Sequence, residues 1–451
     1  MRVLALLFLL TLPAEAGFYA AAGKVDITPD LTASTVYLAG YGAYGKKATG
    51  VRDPLYARAL VVSDGTSTVA LVSVDLIALY RNDVLDIRSR IQVPVFLTAT
   101  HTHSGPDTLG MWGRFLGISG VRDDYQERVK SSVATLVNGL LEKLEPAELR
   151  AGQTLVDTEG MLHDRRDPSI LDPELNILSV RDKKGRAIAT GIRFSCHATL
   201  FGRSRDEISA DYPGQWCSEI EKKNGGTCLF FPGSIGGHIV PEPGLKELVF
   251  PKEKVAFDPI TTGAVRFSSR TAFVPVENSR YIVFLPSLAF GHTLYESDGT
   301  LLPRWKHWWL PFRHIAAFPL PEASRPWIKT EISLVDLGSL RILGIPGESF
   351  PEQAIGGYAG SKIGPDNPNP PKLEAAPKGP FLRERLGVKH AWIVNLANDE
   401  IGYTIPAYDF QVTPTRTMKP RPKGTHYGET NSIGGRSTDL IMDAARELIA
   451  Q

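Results

Sequence analysis

The hydrophobic pattern of the chain alternates between two periods. Short apolar runs at 57–62, 68–74, 94–99, 175–180, 187–196, 227–231, 340–345 and 391–396 read as strands. Between and after them, apolar residues recurring every three or four positions predict helices over 82–91, 124–144, 212–223 and 437–450. Asp182-Lys183-Lys184-Gly185 lies between two of the strands and predicts a hairpin turn. The mixture predicts an α/β chain with at least one extended sheet and helices outside it. No internal repeat is visible. The proline-dense, polar stretch 360–380 predicts an exposed loop, and because the residues after it carry motifs of their own, 17–451 is expected to form a single domain.

The N-terminus predicts a destination. Arg2 precedes an apolar run from Val3 to Leu12, followed by Pro13 and Ala14-Glu15-Ala16. A charged start, a short apolar core and small residues two apart have the form of a secretory signal, with cleavage expected after Ala16. The run is well short of the ~20 residues that span a bilayer. The mature chain is therefore expected to be secreted or periplasmic.

Composition adds little. The 451 residues are 43% hydrophobic and 22% charged, ordinary for a globular protein, and the net charge of +1 provides no field that would favour nucleic acid. The pattern fixes no oligomeric state. Three cysteines, Cys196, Cys217 and Cys228, permit one disulfide in an oxidising compartment, but their spacing fits no zinc ribbon. They are expected to be buried small residues or to include one bridge.

Candidate chemistry sits at strand ends. The run Phe96-Leu97-Thr98-Ala99 leads directly into Thr100-His101-Thr102-His103-Ser104-Gly105-Pro106. Residues two apart on a strand share a face, so both imidazoles are expected on one side of its carboxyl end, where α/β folds commonly place their sites. Neutral imidazole is a good zinc ligand. A second strand ends in Ser195-Cys196-His197-Ala198-Thr199, and the Asp211 that follows could cap a helix or orient a ligand. Two further strand ends deliver Glu348, after Ile345-Pro346-Gly347, and Tyr403, after Asn398-Asp399-Glu400-Ile401-Gly402. A carboxylate added to two histidines would resemble known catalytic zinc sites.

In this order, the segments HTHSGP, FSCHAT with SADYPG, IPGE, ANDEIGY and HYGETNS resemble the neutral, non-lysosomal ceramidase family from about residue 23 onward. The resemblance implies a layered α/β sandwich of mixed sheets flanked by helices. It also implies a zinc ion held by His101, His197, Glu348 and Tyr403, and cleavage of an amide in an N-acyl sphingosine-like lipid. His103 would assist proton transfer. Tyr427 and either Arg165 or Arg166 would contact the reacting group. The family's serine nucleophile falls, by alignment, at Gly236 of Phe231-Pro232-Gly233-Ser234-Ile235-Gly236-Gly237-His238. Three outcomes stay open: a zinc-activated water as nucleophile, Ser234 acting in a rebuilt loop and activated by zinc or His238, or retained binding of lipid or glycan without catalysis. Other amides or esters are equally open as substrates. The β-sandwich domain that follows the catalytic domain in full-length ceramidases is not expected here.

One further segment, 301–314, places Trp305, Trp308 and Trp309 beside Arg304, Lys306 and Arg313. Tryptophan with basic residues is the composition of a bilayer-interface contact or the wall of an apolar substrate pocket. Peripheral membrane contact and a small-molecule or lipid substrate are the expected partners.

Overall fold

The predicted strands assemble into two mixed sheets stacked face to face. The structure, a computed structural model, describes residues 17–42, 44–115, 118–202, 206–237, 239–242, 244–245, 255–261, 263–278, 291–303, 321–358, 361–411 and 426–451. The first sheet contains β1 (Phe18–Asp26), β2 (Tyr56–Ser63), β3 (Thr68–Val74), β4 (Val95–Ala99), β5 (Glu145–Leu155), β6 (Glu174–Asp182), β7 (Ala187–Phe194) and β8 (Thr227–Pro232). Their order is β8-β7-β6-β5-β1-β2-β3-β4, with Phe257–Pro259 added beside β5. The β3–β4 and β7–β8 pairs are parallel, and the other ladders are antiparallel. The second sheet runs β9 (Val265–Pro275), β10 (Trp327–Leu337), β11 (Leu340–Gly344), β12 (His390–Val394), with β11 and β12 parallel.

Alternation along the strands decides the layering. On one face of the first sheet, Ala57, Ala59, Val61, Val72 and Leu97 pack with Val129, Val133 and Val137 of α2 (Asp123–Leu141), which follows α1 (Arg81–Ser89). Residues of the opposite phase, Leu60, Val62, Leu71 and Phe96, meet Val335, Ile342, Trp392 and Val394 of the second sheet. Beyond that sheet, Ile441, Ala445 and Leu448 of the C-terminal helix Gly435–Ile449 cover Val274, Ile332 and Ile393. A third helix on the first sheet, α3 (Asp211–Asn224), buries Tyr212, Trp216 and Ile220 against Phe194 and Phe230. The result is a helix–sheet–sheet–helix sandwich, as predicted.

The first sheet coils until β4 and β8, its two edges, approach each other. Ser73 on β3 donates to the Phe230 carbonyl on β8 at 2.6 Å. Residues 395–398, which continue β12 from the second sheet, fill the remaining gap. Asn395 N–H bonds to Pro232 O at 2.9 Å, Ala397 bridges Thr98, and Asn398 N–H bonds to Leu97 O at 2.8 Å. This insertion brings the carboxyl ends of β4, β7, β11 and β12 to one place.

The predicted strands and helices all form, most with ends shifted by a residue or two. The strand predicted over 187–196 stops at Phe194, because Ser195 onward turns out of the ladder. Strands β1, β5, β9 and β10 carry no predicted counterpart. The first three mix buried positions with charged, small or half-exposed ones, which blurs the apolar run. The hairpin closes as expected, with Gly185 N–H on Asp182 O at 2.9 Å. In the described part of the proline-dense loop, one short turn (Leu373–Ala375) is the regular element. All three cysteines are buried and free, so no bridge forms among them. Among the described residues no helix is long and apolar enough to cross a membrane. The expected signal, residues 1–16, and Trp305, Trp308 and Trp309 lie outside the described residues.

Candidate metal centre

His101 leaves β4 in a left-handed backbone conformation, φ 64°, with its N–H on Leu76 O at 3.0 Å. A non-glycine residue rarely adopts this conformation unless its surroundings enforce it. Its ring Nδ1 donates to Ile77 O at 2.8 Å, which leaves Nε2 as the lone-pair atom. His197, wholly buried, repeats the device: both its backbone N–H and its Nδ1 bond to Ile239 O, at 3.0 and 2.8 Å. The two Nε2 atoms converge on Glu348, at 3.6 Å from Oε1 for His101 and 2.9 Å from Oε2 for His197. Glu348 stands beside Tyr403 in a two-residue parallel pairing, Glu348–Ser349 with Tyr403–Thr404, and accepts a hydrogen bond from that phenol.

His103, partly buried, completes the cluster. Its ring centroid lies 4.8 Å from that of His101 and 5.7 Å from that of His197. One ligand-type atom from each of the three histidines falls within 4.8 Å of the others. Gly40 packs against this ring; a Cβ there would stand 2.4 Å from His103 Cγ, and φ is +96°, so no other residue fits. Tyr41 contacts the same ring edge-on at 5.1 Å.

The electrostatics suit a cation. Burial pushes the His101 imidazole down to about 4, so it is neutral at ordinary pH. Burial would raise the Glu348 carboxyl, but the two imidazoles and Tyr403 outweigh it and hold the group below its usual value. A carboxylate oxygen 2.9 Å from an imidazole lone pair is repulsive unless a proton or a metal ion lies between them. Tetrahedral zinc ligands about 2.05 Å from the ion stand about 3.3 Å apart, and the observed 2.9 and 3.6 Å bracket that spacing. The donor set therefore fits a divalent ion.

Residues 18–231 match the model of the family described as neutral/alkaline non-lysosomal ceramidase, N-terminal. Over those residues, just under half of its length, the chain is similar to that family. Over 250 residues it is 25% identical to the neutral ceramidase of Pseudomonas aeruginosa strain PAO1, an alignment that takes in 50% of this chain and 37% of that protein. A crystal structure of the P. aeruginosa neutral ceramidase matches with a TM-score of 0.64 at 17% identity, covering 96% of this chain and 74% of the other. A ceramidase complexed with C2 gives 0.63 at 16%, covering 96% and 75%. These likenesses establish the ceramidase fold.

Other residues expected from the ceramidase resemblance are dispersed around the cluster. Ser234 is wholly buried, its hydroxyl 3.4 Å from that of Ser349. Gly236 bonds through its N–H to Ser349 O at 2.9 Å, and a Cβ there would stand 2.4 Å from a Phe350 ring carbon. The two arginines part company. Arg166 lies in a buried ion cluster with Asp409 at 2.5 Å and Glu429 at 3.2 Å, whereas Arg165 is exposed. The backbone of Tyr427 opens a short turn, Tyr427–Asn431; its side chain and His238 lie outside the described residues. Asp211 caps no helix from outside. Its carboxylate accepts N–H groups from Leu200 and Phe201 at 3.0 and 3.1 Å, bracing the loop after His197.

Several supporting residues were not singled out by sequence. Asn395 Oδ1 accepts the N–H of Ser349 at 2.7 Å and of Ile235 at 3.2 Å, fastening the Glu348 strand to the Ser234 loop. Asn398, also left-handed at φ 62°, accepts the Leu97 N–H at 2.9 Å and donates to Ser333 at 2.8 Å. Asp399 accepts from Arg81 N–H, Thr330 and His292 at 2.8 to 2.9 Å. Burial, followed by the nearby Glu348 charge, pushes Glu400 well above the carboxylate range. The only signal for these residues was the polar triplet Asn398-Asp399-Glu400 at a strand end; Asn395 had none.

Proposed function

We propose that the protein is an exported zinc-dependent hydrolase that cleaves the amide of an N-acyl sphingosine-like lipid or a related acyl bond. The carrying observation is the convergence of two Nδ1-anchored histidines on one buried carboxylate beside Tyr403, in a chain similar to the ceramidase family over residues 18–231. His101, His197, Glu348 and Tyr403 would hold the ion. When bound, zinc supplies a Lewis acid for the scissile carbonyl. The remaining work falls to the chain. His103 lies within ring contact of both histidine ligands and takes the proton of the attacking group. Arg165, the unburied member of the arginine pair, steadies the developing oxyanion or a product carboxylate together with Tyr427. Water is the nucleophile in this reading, because the Ser234 hydroxyl is wholly buried against Ser349 and position 236 has no room for a side chain.

The same two observations also favour a second reading, in which the chain binds lipid or glycan without turnover. Elemental analysis of the purified protein and assays on N-acyl sphingosine and simpler acyl amides and esters, with and without chelator, separate the two. Stoichiometric zinc and chelator-sensitive hydrolysis are expected. His101→Ala should lower kcat/KM by about three orders of magnitude, matching the several kcal/mol a Lewis acid contributes. Absence of zinc, or chelator-insensitive binding without hydrolysis, rejects the proposal.

A further inference from the structure

Beside the histidine cluster, two loops are stitched into a lip. Ala39 N–H bonds to Gly105 O at 3.0 Å, Asp107 N–H to Tyr37 O at 2.9 Å and Gly45 N–H to Gly113 O at 2.9 Å. The Trp112 indole donates to Gly42 O at 3.2 Å. The Asp107 carboxylate accepts the N–H groups of Leu109, Gly110, Trp112 and Gly120 at 2.8 to 3.0 Å, so the second loop is held from within. The lip is prebuilt, and its base is the glycine and tyrosine that pack on His103.

Its tip is unusual for a surface in water. Tyr44 is 61% exposed, Phe115 62% and Ile118 53%. A single exposed apolar residue needs no explanation, but three large ones on adjoining rigid loops do. Cations accompany them. Segments 38–50 and 108–121 contain Lys46, Lys47 and Arg114 and no acidic residue. Both lysines are exposed, and the Arg114 guanidinium lies 5.2 Å from the Phe115 ring centroid. Aromatic and aliphatic side chains flanked by Lys and Arg suit the headgroup–acyl boundary of an anionic bilayer, where the rings enter and the cations meet phosphates.

We propose that Tyr44, Phe115 and Ile118, with Lys46, Lys47 and Arg114, form a membrane-docking lip that seats the histidine cluster against an anionic lipid surface. The inference rests on the reading that the substrate is a lipid, and it adds where that substrate is met: at the bilayer surface, with the loops that pack on His103 through Gly40 and Tyr41 set against it.

The test uses the full chain with Phe115→Cys, labelled with an environment-sensitive dye; the three native cysteines are buried. Vesicles of phosphatidylcholine with phosphatidylglycerol should shift the emission to the blue, and phosphatidylcholine alone should shift it less. In co-sedimentation, F115D/I118D and K46E/K47E should each bind the anionic vesicles about tenfold more weakly. F115D/I118D should keep wild-type turnover of a soluble short-chain N-acyl amide. No dye shift, or unchanged vesicle binding by F115D/I118D, overturns the docking lip even if the soluble substrate is hydrolysed. Vesicle binding through the lip without hydrolysis of any acyl substrate leaves the lip standing and removes the hydrolase reading.

Discussion

Gly236 shows how one missing side chain constrains the chemistry around it. The site it would occupy is filled by Phe350 and the Ser349 backbone. Gly236→Ser is therefore expected to destabilise the fold by about 1–3 kcal/mol, as overpacking does, and to leave hydrolysis no faster; a denaturant midpoint and an activity assay check both. At this scale the sequence was partly legible. His101 and His197 stood out because each follows an apolar strand, and their anchoring carbonyls, Ile77 and Ile239, supply the geometry the pattern only implied. Glu348 and Tyr403 were found through family resemblance, since a carboxylate after a Pro-Gly turn and a lone tyrosine carry no chemistry by themselves. Asn395 and Asn398 were illegible, because their roles exist only once the edges of a coiled sheet leave a gap for them.

Among the elements, the short helix Pro351–Ile355 carries Glu352, whose buried carboxyl is pushed up to about 7 by desolvation. The Tyr358 hydroxyl donates to it at 3.1 Å. A raised folded-state value means the native state holds its proton where the unfolded chain does not. This group's contribution to stability is full below about pH 4.5 and is lost as pH rises through about 7. Glu352→Gln, which can still accept from Tyr358, should then gain roughly 2–3 kcal/mol over wild type at pH 8 and almost nothing at pH 4. Chemical denaturation at both pH values measures the difference. Elements with strong periodicity were readable to within a few residues, as the strand at 68–74 and the helix over α3 illustrate. Strand β5 was not, because Glu145, Glu148 and Arg150 interrupt the buried Ala147, Leu149 and Ala151 and leave no apolar run.

For the whole molecule, four elements from two sheets must all be in place before the proposed metal ligands meet, so ion binding at that site would be coupled to folding. Adding zinc at a hundred times its dissociation constant should stabilise the protein by about 2.7 kcal/mol. The shift of a few degrees in thermal midpoint should vanish in His101→Ala. Trp392, wholly buried between the sheets, ties the two halves together; Trp392→Ala should cost about 3–5 kcal/mol, read by the same scan. The stacking of one sheet on the other was foreseeable from resemblance alone, since periodicity marks which face of a strand is apolar but not what covers it. One feature of the site bears on attempts to improve the protein. His101, Asp211, Leu396 and Asn398 all hold positive φ without being glycine, each at a cost of order 1 kcal/mol or more. Selection for heat resistance alone would accept glycine at His101, relieving that strain while deleting a proposed ligand, and on the proposed function would enrich robust but inert variants. Hardening this scaffold without losing turnover means screening both properties together and leaving those four positions untouched.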